Sequence, residues 1–179
     1  MKIGIIGAGQ LGRMLALAGY PLGLQFVFVD TSVTAPGAQV GRIIVGAFDD
    51  AQKLAQLADE VDVVTFEFEN VPAIAIEAVA NRKPFYPQPA ALAASQDRLV
   101  EKNLFRTLKI PTPEFMAVDS LKDLRRAVEI IGIPGVLKTR RLGYDGRGQI
   151  QIKSQDDIDP AWNELGTAPL IYESFVHFK

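Results

Sequence analysis

The stretch Gly135-Val-Leu-Lys-Thr-Arg-Arg-Leu-Gly-Tyr-Asp-Gly-Arg-Gly-Gln149 decides how the chain is read. A lysine, Lys138, leaves a short apolar run and enters a loop that holds Gly143, Gly146 and Gly148, further cations and a Tyr144-Asp145 pair. A second apolar run, Gln149-Ile-Gln-Ile152, follows at once, which predicts a β-hairpin with a glycine-rich tip. Glycines let backbone N–H groups come close to an anion, and a lysine adds a point charge suited to phosphate oxygens. The G-x-x-x-x-G-K-[ST] order of a P-loop is absent. Such a hairpin reads either as a nucleotide cover or as a solvated basic loop.

Upstream of the hairpin, Ser120 followed three residues later by Asp123 predicts a capped helix over 121–131, with Leu121, Leu124, Val128 and Ile131 on one stripe. A strand at 114–118 and a helix over 97–108, stopped by Ile110-Pro-Thr-Pro113, precede it. Downstream, 149–152, a helix near 158–165 and a strand over 170–176 predict a second small βαβ layer. The N-terminal half is different: apolar runs at 2–8, 25–30, 42–45 and 61–66 alternate with helical patterns at 10–19, 50–58 and 72–81, which predicts a parallel, doubly wound sheet. The texture changes around the proline-rich 83–89, so a boundary is expected within 88–95, giving domains 1–94 and 95–179.

Gly7-Ala-Gly-Gln-Leu-Gly12 is a G-x-G-x-x-G between a predicted strand and helix, and Asp30 ends the next strand. This is the pattern of a dinucleotide turn, with pyrophosphate at the helix N-terminus and the acid on ribose hydroxyls. It supports an alternative reading as an NAD(P)-binding Rossmann oxidoreductase. The same turn also suits a single sugar phosphate beside Gln10, or simply close helix–sheet packing. Thr65-Phe-Glu-Phe-Glu-Asn-Val-Pro72 places two carboxylates at the carboxyl end of a strand. If the segment stays extended, Glu67 and Glu69 share one side, ready for ribose hydroxyls or an amine.

Bulk composition bounds these readings. The 179 residues are 48% hydrophobic and 22% charged with net charge −2, which gives no electrostatic reason to expect a nucleic acid or an anionic membrane as partner. Absence of cysteine excludes disulfides, thiol nucleophiles and Cys-ligated metals, and the sole histidine, His177, excludes a multi-His site. Neither a secretory leader nor a bilayer-long apolar run is present, so a cytoplasmic location is expected.

Several separated segments form one ordered series: Gly9-Gln-Leu-Gly-Arg-Met14, the Thr65–Pro72 acidic turn, Ser95-Gln-Asp-Arg98, Ile110-Pro-Thr-Pro113, Lys138, Gly143-Tyr-Asp-Gly-Arg-Gly-Gln149 and Tyr172-Glu-Ser-Phe-Val176. In this the chain resembles, over its whole length, the N-terminal half of the 5-(carboxyamino)imidazole ribonucleotide synthases, ATP-grasp carboxylases of purine biosynthesis. The resemblance implies an α/β fold: a Rossmann-like, parallel-sheet pre-ATP-grasp domain, then the small α+β subdomain of an ATP-grasp domain. It implies a ligase that uses ATP and bicarbonate to carboxylate aminoimidazole ribonucleotide through carboxyphosphate, and a homodimer at full length. By motif match, Arg98, Lys138, Gly143, Tyr144, Asp145, Gly146, Arg147, Gly148 and Gln149 would meet ATP, as would the strand Glu173, Ser174, Phe175, Val176. Gly9, Gln10, Leu11 and Glu67 would meet the ribonucleotide with Tyr144, Asp145 and Arg147, and Lys138, Asp145 and Arg147 would serve catalysis. Magnesium is implied, with its ligands expected beyond Lys179; the chain is therefore read as an incomplete piece, inactive alone.

Overall fold

Four strands dense in Val, Ile and Phe pair in parallel at the start of the chain: β1 (Lys2–Ile6), β2 (Gln25–Asp30), β3 (Arg42–Val45) and β4 (Val63–Phe66), in the spatial order β3-β2-β1-β4. The computed structural model describes residues 1–143 and 146–177, which divide into two compact units, Met1–Ala93 and Ala94–Lys179. Among the described residues no helix is long and apolar enough to cross a membrane.

In the first unit the strands are apolar at nearly every position because both faces are covered, as parallel sheets require. Alternate residues serve opposite layers. Ile5, Phe26 and Phe28 pack with Ala16 of α1 (Gln10–Gly19), while Ile6, Val27, Val29 and Ile44 pack with Leu54 and Leu57 of α2 (Ala51–Glu60) and with Ala75 and Val79 of α3 (Ala73–Ala80). Burying each such large side chain contributes about 1.5–3 kcal/mol. Asp50 starts α2 by accepting the amides of Gln52 and Lys53 at 3.0 and 3.2 Å. The order of strands reverses between β1 and β4, so the Gly7 turn and Glu67 lie at the carboxyl ends of the two strands flanking the switch point, where open α/β sheets bind ligands.

Where only a boundary was expected, a further helix forms, α4 (Pro89–Ser95). Its sequence, Pro-Ala-Ala-Leu-Ala-Ala-Ser, sets proline at the first helical position, follows it with the best helix former and buries Leu92, and these outweigh the proline-rich run before it.

The second unit is an antiparallel sheet of order β5-β8-β6-β7, built from β5 (Phe115–Val118), β6 (Gly135–Thr139), β7 (Gln149–Ile152) and β8 (Leu170–Ser174). One face, with Val118, Leu137, Ile152, Leu170 and Tyr172, packs on Leu124 and Val128 of α6 (Leu121–Ile131) and on Ile158 and Ala161 of α7 (Ile158–Leu165). Tyr172 is fully buried there and donates its hydroxyl to the Gly132 carbonyl at 2.8 Å. Ser120 caps α6 as expected, accepting the Asp123 amide at 3.1 Å and donating to its carboxylate at 2.6 Å. The expected βαβ unit, β7-α7-β8, is present, but its two strands are not neighbours. β7 and β8 run parallel, but β6 lies between them, because each pairs with β6 rather than with the other. β8 also ends at Ser174, two residues before the expected end. Ahead of the sheet, α5 (Arg98–Thr107) sets Lys102 and Arg106 over the Phe115 ring, at 5.6 and 4.2 Å from its centroid.

Candidate functional site

The sheet face opposite α6 and α7 carries the chemistry. Lys138 on β6 and Glu173 on β8 are diagonal cross-strand neighbours, since Lys138 pairs with Ile171 and Val136 with Glu173. Lys138 Nζ donates to Glu173 Oε2 at 3.0 Å, and Lys102 Nζ of α5 reaches the same oxygen at 3.2 Å. Glu173 is 4% exposed, and its other oxygen, Oε1, is buried without a hydrogen-bond partner. Two cations therefore converge on one carboxylate, which leaves net positive charge and, among the described residues, one unused acceptor on a face that also carries Val136, Ile171, Phe115, Ala117, Gln149 and Gln151. A buried orphan acceptor is costly unless something donates to it. Such a face suits a ligand with anionic oxygens at one end and a donor at the other.

The glycine-rich hairpin begins on a clamp built from Asp97, Arg98 and Arg140. Asp97 starts α5 by accepting the amides of Leu99 and Val100 at 2.9 and 3.4 Å, and it takes a two-pronged bond from Arg140, Nε at 3.0 Å and Nη2 at 2.7 Å. Burial alone would raise the Asp97 pKa; the Arg140 hydrogen bonds, the two amides and the Arg140 charge outweigh it and hold the carboxyl below its ordinary value. Arg140 is raised in turn, chiefly by its hydrogen bonds to Asp97. Arg98 turns its guanidinium to the loop backbone, donating to the Thr139 carbonyl at 2.9 Å and the Gly143 carbonyl at 2.8 Å. The Thr139 amide closes the hairpin on the Gly148 carbonyl at 2.8 Å. Of the loop residues singled out in the sequence, Gly143, Gly146, Arg147, Gly148 and Gln149 are described; Tyr144 and Asp145 lie outside the described residues. Ser174 and Phe175 continue from β8, their amides donating to the carbonyls of Glu114 at 2.9 Å and Pro134 at 3.1 Å, and Val176 is exposed.

Sequence reading missed Lys102 and Arg140. Lys102 was discoverable, because it follows Arg98 by four residues and so shares its helix face. No sequence pattern pairs Arg140 with an acid forty-three positions away.

In the first unit, the Gly7–Gly12 turn is already occupied. The Gly9 amide donates to Glu67 Oε1 at 2.6 Å and the Gly12 amide to Glu67 Oε2 at 2.5 Å. The Ala8 amide donates to Asp30 Oδ2 at 2.9 Å, while Asp30 Oδ1 accepts the Ser32 amide at 2.9 Å. Asp30, the acid that a dinucleotide reading needs at the ribose, is thus engaged with backbone and Glu67 sits on the turn's amides, and the oxidoreductase alternative loses its support. Gln10 and Leu11 stand exposed on the first turn of α1. The condition for Glu67 and Glu69 to share one side is not met: β4 stops at Phe66, so strand alternation no longer applies, and Glu69 is exposed beside Asn70 Nδ2 at 3.0 Å. Among the described residues no group of three His, Cys, Asp or Glu side chains is placed to hold a metal.

A doubly wound parallel sheet, followed in the chain by an antiparallel sheet with a strand lysine at the root of a glycine-rich hairpin, is the layout of an ATP-grasp nucleotide-binding protein, and residues 103–179 match the ATP-grasp domain. The chain belongs to the ribonucleotide synthetase preATP-grasp family, whose domain matches residues 1–96. It is 51% identical over 178 residues to the N5-carboxyaminoimidazole ribonucleotide synthase of Pseudomonas aeruginosa, covering 99% of this chain and 49% of that protein. The crystal structure of the synthetase from Thermus thermophilus superposes with a TM-score of 0.90 at 47% identity, over 99% of this chain and 48% of that one. That of the synthase from Aspergillus clavatus, in complex with ADP and 5-aminoimidazole ribonucleotide, gives 0.88 at 33% identity, over 99% and 47%. The chain thus spans about half the length of the relatives it matches.

Proposed function

We propose that this chain is the N-terminal half of an ATP-dependent carbon–nitrogen ligase that carboxylates aminoimidazole ribonucleotide with bicarbonate, acting as a cytoplasmic homodimer at full length. The observation that carries the reading is the Lys138–Glu173–Lys102 cluster on the open face of the antiparallel sheet. Likeness to a synthase crystallised with ADP and the ribonucleotide supports it.

In the proposed reaction a bicarbonate oxygen attacks the γ-phosphorus of ATP and ADP leaves. The exocyclic amine then takes the carboxyl carbon of carboxyphosphate, phosphate departs with the bonding electrons, and the amine loses a proton. Lys138 and Lys102 offset charge on the phosphates, which is the principal contribution a protein makes to phosphoryl transfer. Glu173 holds Lys138 in place, and its free Oε1 offers an acceptor to the nucleotide. Asp97, Arg98 and Arg140 fix the first stem of the hairpin, which Thr139 ties to Gly148, so that residues 143–149 are read as a lid on this root. Closure matters because carboxyphosphate is destroyed by water. Tyr144, Asp145 and Arg147 are assigned to the ribonucleotide, with Gln10, Leu11 and Glu67. Magnesium accompanies ATP in this reading, but the described residues supply no ligand set for it, so no step is routed through the metal.

The test is a chimera in which residues 1–178 replace the matching half of the Pseudomonas aeruginosa synthase. ADP release that depends on bicarbonate and rises strongly with aminoimidazole ribonucleotide is expected, and Lys138→Met should lower it about a hundredfold or more. A folded chimera whose ADP release ignores the ribonucleotide would overturn the assignment. The 179-residue chain alone should bind ADP weakly and turn nothing over.

A further inference from the structure

We propose that Glu67 is a resident anion seated where a G-x-G-x-x-G turn ordinarily takes a phosphate, and that it is therefore a specificity-determining residue: it closes this turn to phosphate and pyrophosphate ligands and presents a carboxylate to any substrate bound beside it. Four observations converge. The Gly9 and Gly12 amides each donate to a different oxygen of this one carboxylate, at 2.6 and 2.5 Å. Both are shorter than an ordinary N–H···O bond, the direction in which a charged acceptor shifts them. Gly9 is the N-cap of α1 and has no side chain to cap with, so Glu67 supplies from fifty-eight residues away the anion that the first turn of a helix favours.

The glycines themselves are fitted to this side chain. A Cβ added at Gly7, Gly9 or Gly12 would stand 2.5, 2.7 and 2.8 Å from Glu67 atoms. In a dinucleotide turn the same three positions are kept bare for the tight turn, the approach of the pyrophosphate and helix–strand packing. Finally, Asp30 takes a third amide of the turn, that of Ala8, at 2.9 Å. A phosphate arriving here meets two carboxylates already bonded to the Ala8, Gly9 and Gly12 amides, and repulsion adds to the loss of the Glu67 bonds.

The consequence concerns which ligand groups suit this place. Leu11, Met14, Leu15, Ala18 and Phe66 line an apolar hollow next to Glu67. A hydroxyl or amine donor set against an apolar wall fits it; a phosphate does not. A sugar phosphate bound by this unit must therefore turn its hydroxyls or amine toward Glu67 and leave its phosphate to other residues. The exclusion stands on the turn's own geometry and does not depend on the carboxylation reading, so either can fail without the other.

The experiment is amide-resolved NMR of the 179-residue chain, unaltered and as Glu67→Ala, titrated with inorganic phosphate, pyrophosphate and NADH. In the unaltered chain the Gly9 and Gly12 amide protons should lie well downfield and stay in place through each titration. In Glu67→Ala both should move upfield, then shift on adding pyrophosphate, with an affinity at least tenfold above that of the unaltered chain. Movement of these two amides in the unaltered chain under phosphate would overturn the proposal, as would a folded Glu67→Ala that binds pyrophosphate no better. Should Glu67→Ala not fold, Glu67→Gln serves: its single acceptor frees one of the two amides, and no gain of pyrophosphate shifts there would equally overturn it.

Discussion

Two glycine-rich loops in one chain serve opposite ends. In the Gly7–Gly12 turn the bare positions admit an internal carboxylate, and the Ala8, Gly9 and Gly12 amides are already bonded to Asp30 and Glu67. In the Gly143–Gln149 loop the described contacts gather at the root, where Arg98 holds the Thr139 and Gly143 carbonyls and Thr139 closes on Gly148. What separates the loops is the charge of the long-range partner, an acid in one and an arginine in the other. An acid takes N–H groups and consumes the anion site, whereas an arginine takes carbonyls and leaves N–H groups available. Glycine spacing alone does not report this.

The largest expected effect lies at the root of the second loop. Asp97→Ala removes a helix cap and leaves Arg140, itself mostly buried, without its carboxylate. Loss of about 3 kcal/mol is expected in denaturant unfolding of the second unit. A loss below about 1 kcal/mol would mean that the root is not clamped and that the comparison between the loops fails. Acid titration sharpens the same point. Because the folded pKa of Asp97 is depressed, its stabilisation is fully present above the ordinary carboxylate range and fades as pH falls through the lower folded value. Asp123 and Asp157 are also lowered, the first chiefly by its Ser120 bond and the second by the Lys153 and Ser154 amides, so they titrate alongside it. The difference between the unaltered chain and Asp97→Asn isolates the Asp97 share: it should shrink toward zero as the solution is acidified, and a difference that is flat with pH would exclude the ion pair as its source.

Much of this was legible in the residues. The strands β1, β2 and β3 follow from unbroken apolar runs, and α6 from Ser120, Asp123 and a four-residue stripe, because those signals are local. Lys138 announced itself by leaving a strand for a glycine-rich loop. The partners of these groups did not, since Glu173 meets Lys138 only once β8 inserts between β5 and β6, and that order has no local signature. α4 was lost to the prolines before it. Glu67 and Glu69 looked equivalent because alternation was carried past Phe66, where the strand has already ended; the turn that separates them is set by packing of Phe66 on Phe85 and Phe68 on Phe48, with ring centroids 5.7 and 5.0 Å apart.

A middle-sized effect is expected at Gly9. Its backbone, φ −73° and ψ −159°, is extended and open to any residue, so Gly9→Ala carries no torsional cost. Its whole cost is the 2.7 Å approach of the new Cβ to Glu67 Oε1. The carboxylate must leave, two charge-assisted bonds are exchanged for water, and about 2 kcal/mol should be lost in thermal or denaturant unfolding of the first unit. Adding Glu67→Ala to this variant should cost little more, because the two changes remove one interaction.

Gly146→Ala is the converse and the smallest. Among the described residues the nearest heavy atom to an added Cβ is Gln149 Nε2, at 3.9 Å, so there is room for it. Its φ of +79° is the left-handed region, where a Cβ costs about 1 kcal/mol whatever the space. One loop should therefore resist alanine for lack of room and the other for lack of a permitted torsion. Asparagine separates the two causes, since it tolerates left-handed backbone but is bulkier than alanine. At Gly146 it should recover part of the loss, and at Gly9 it should deepen it. If asparagine is worse than alanine at both, the Gly143–Gln149 loop is also packed against an internal partner, and the contrast between an occupied turn and an open loop falls.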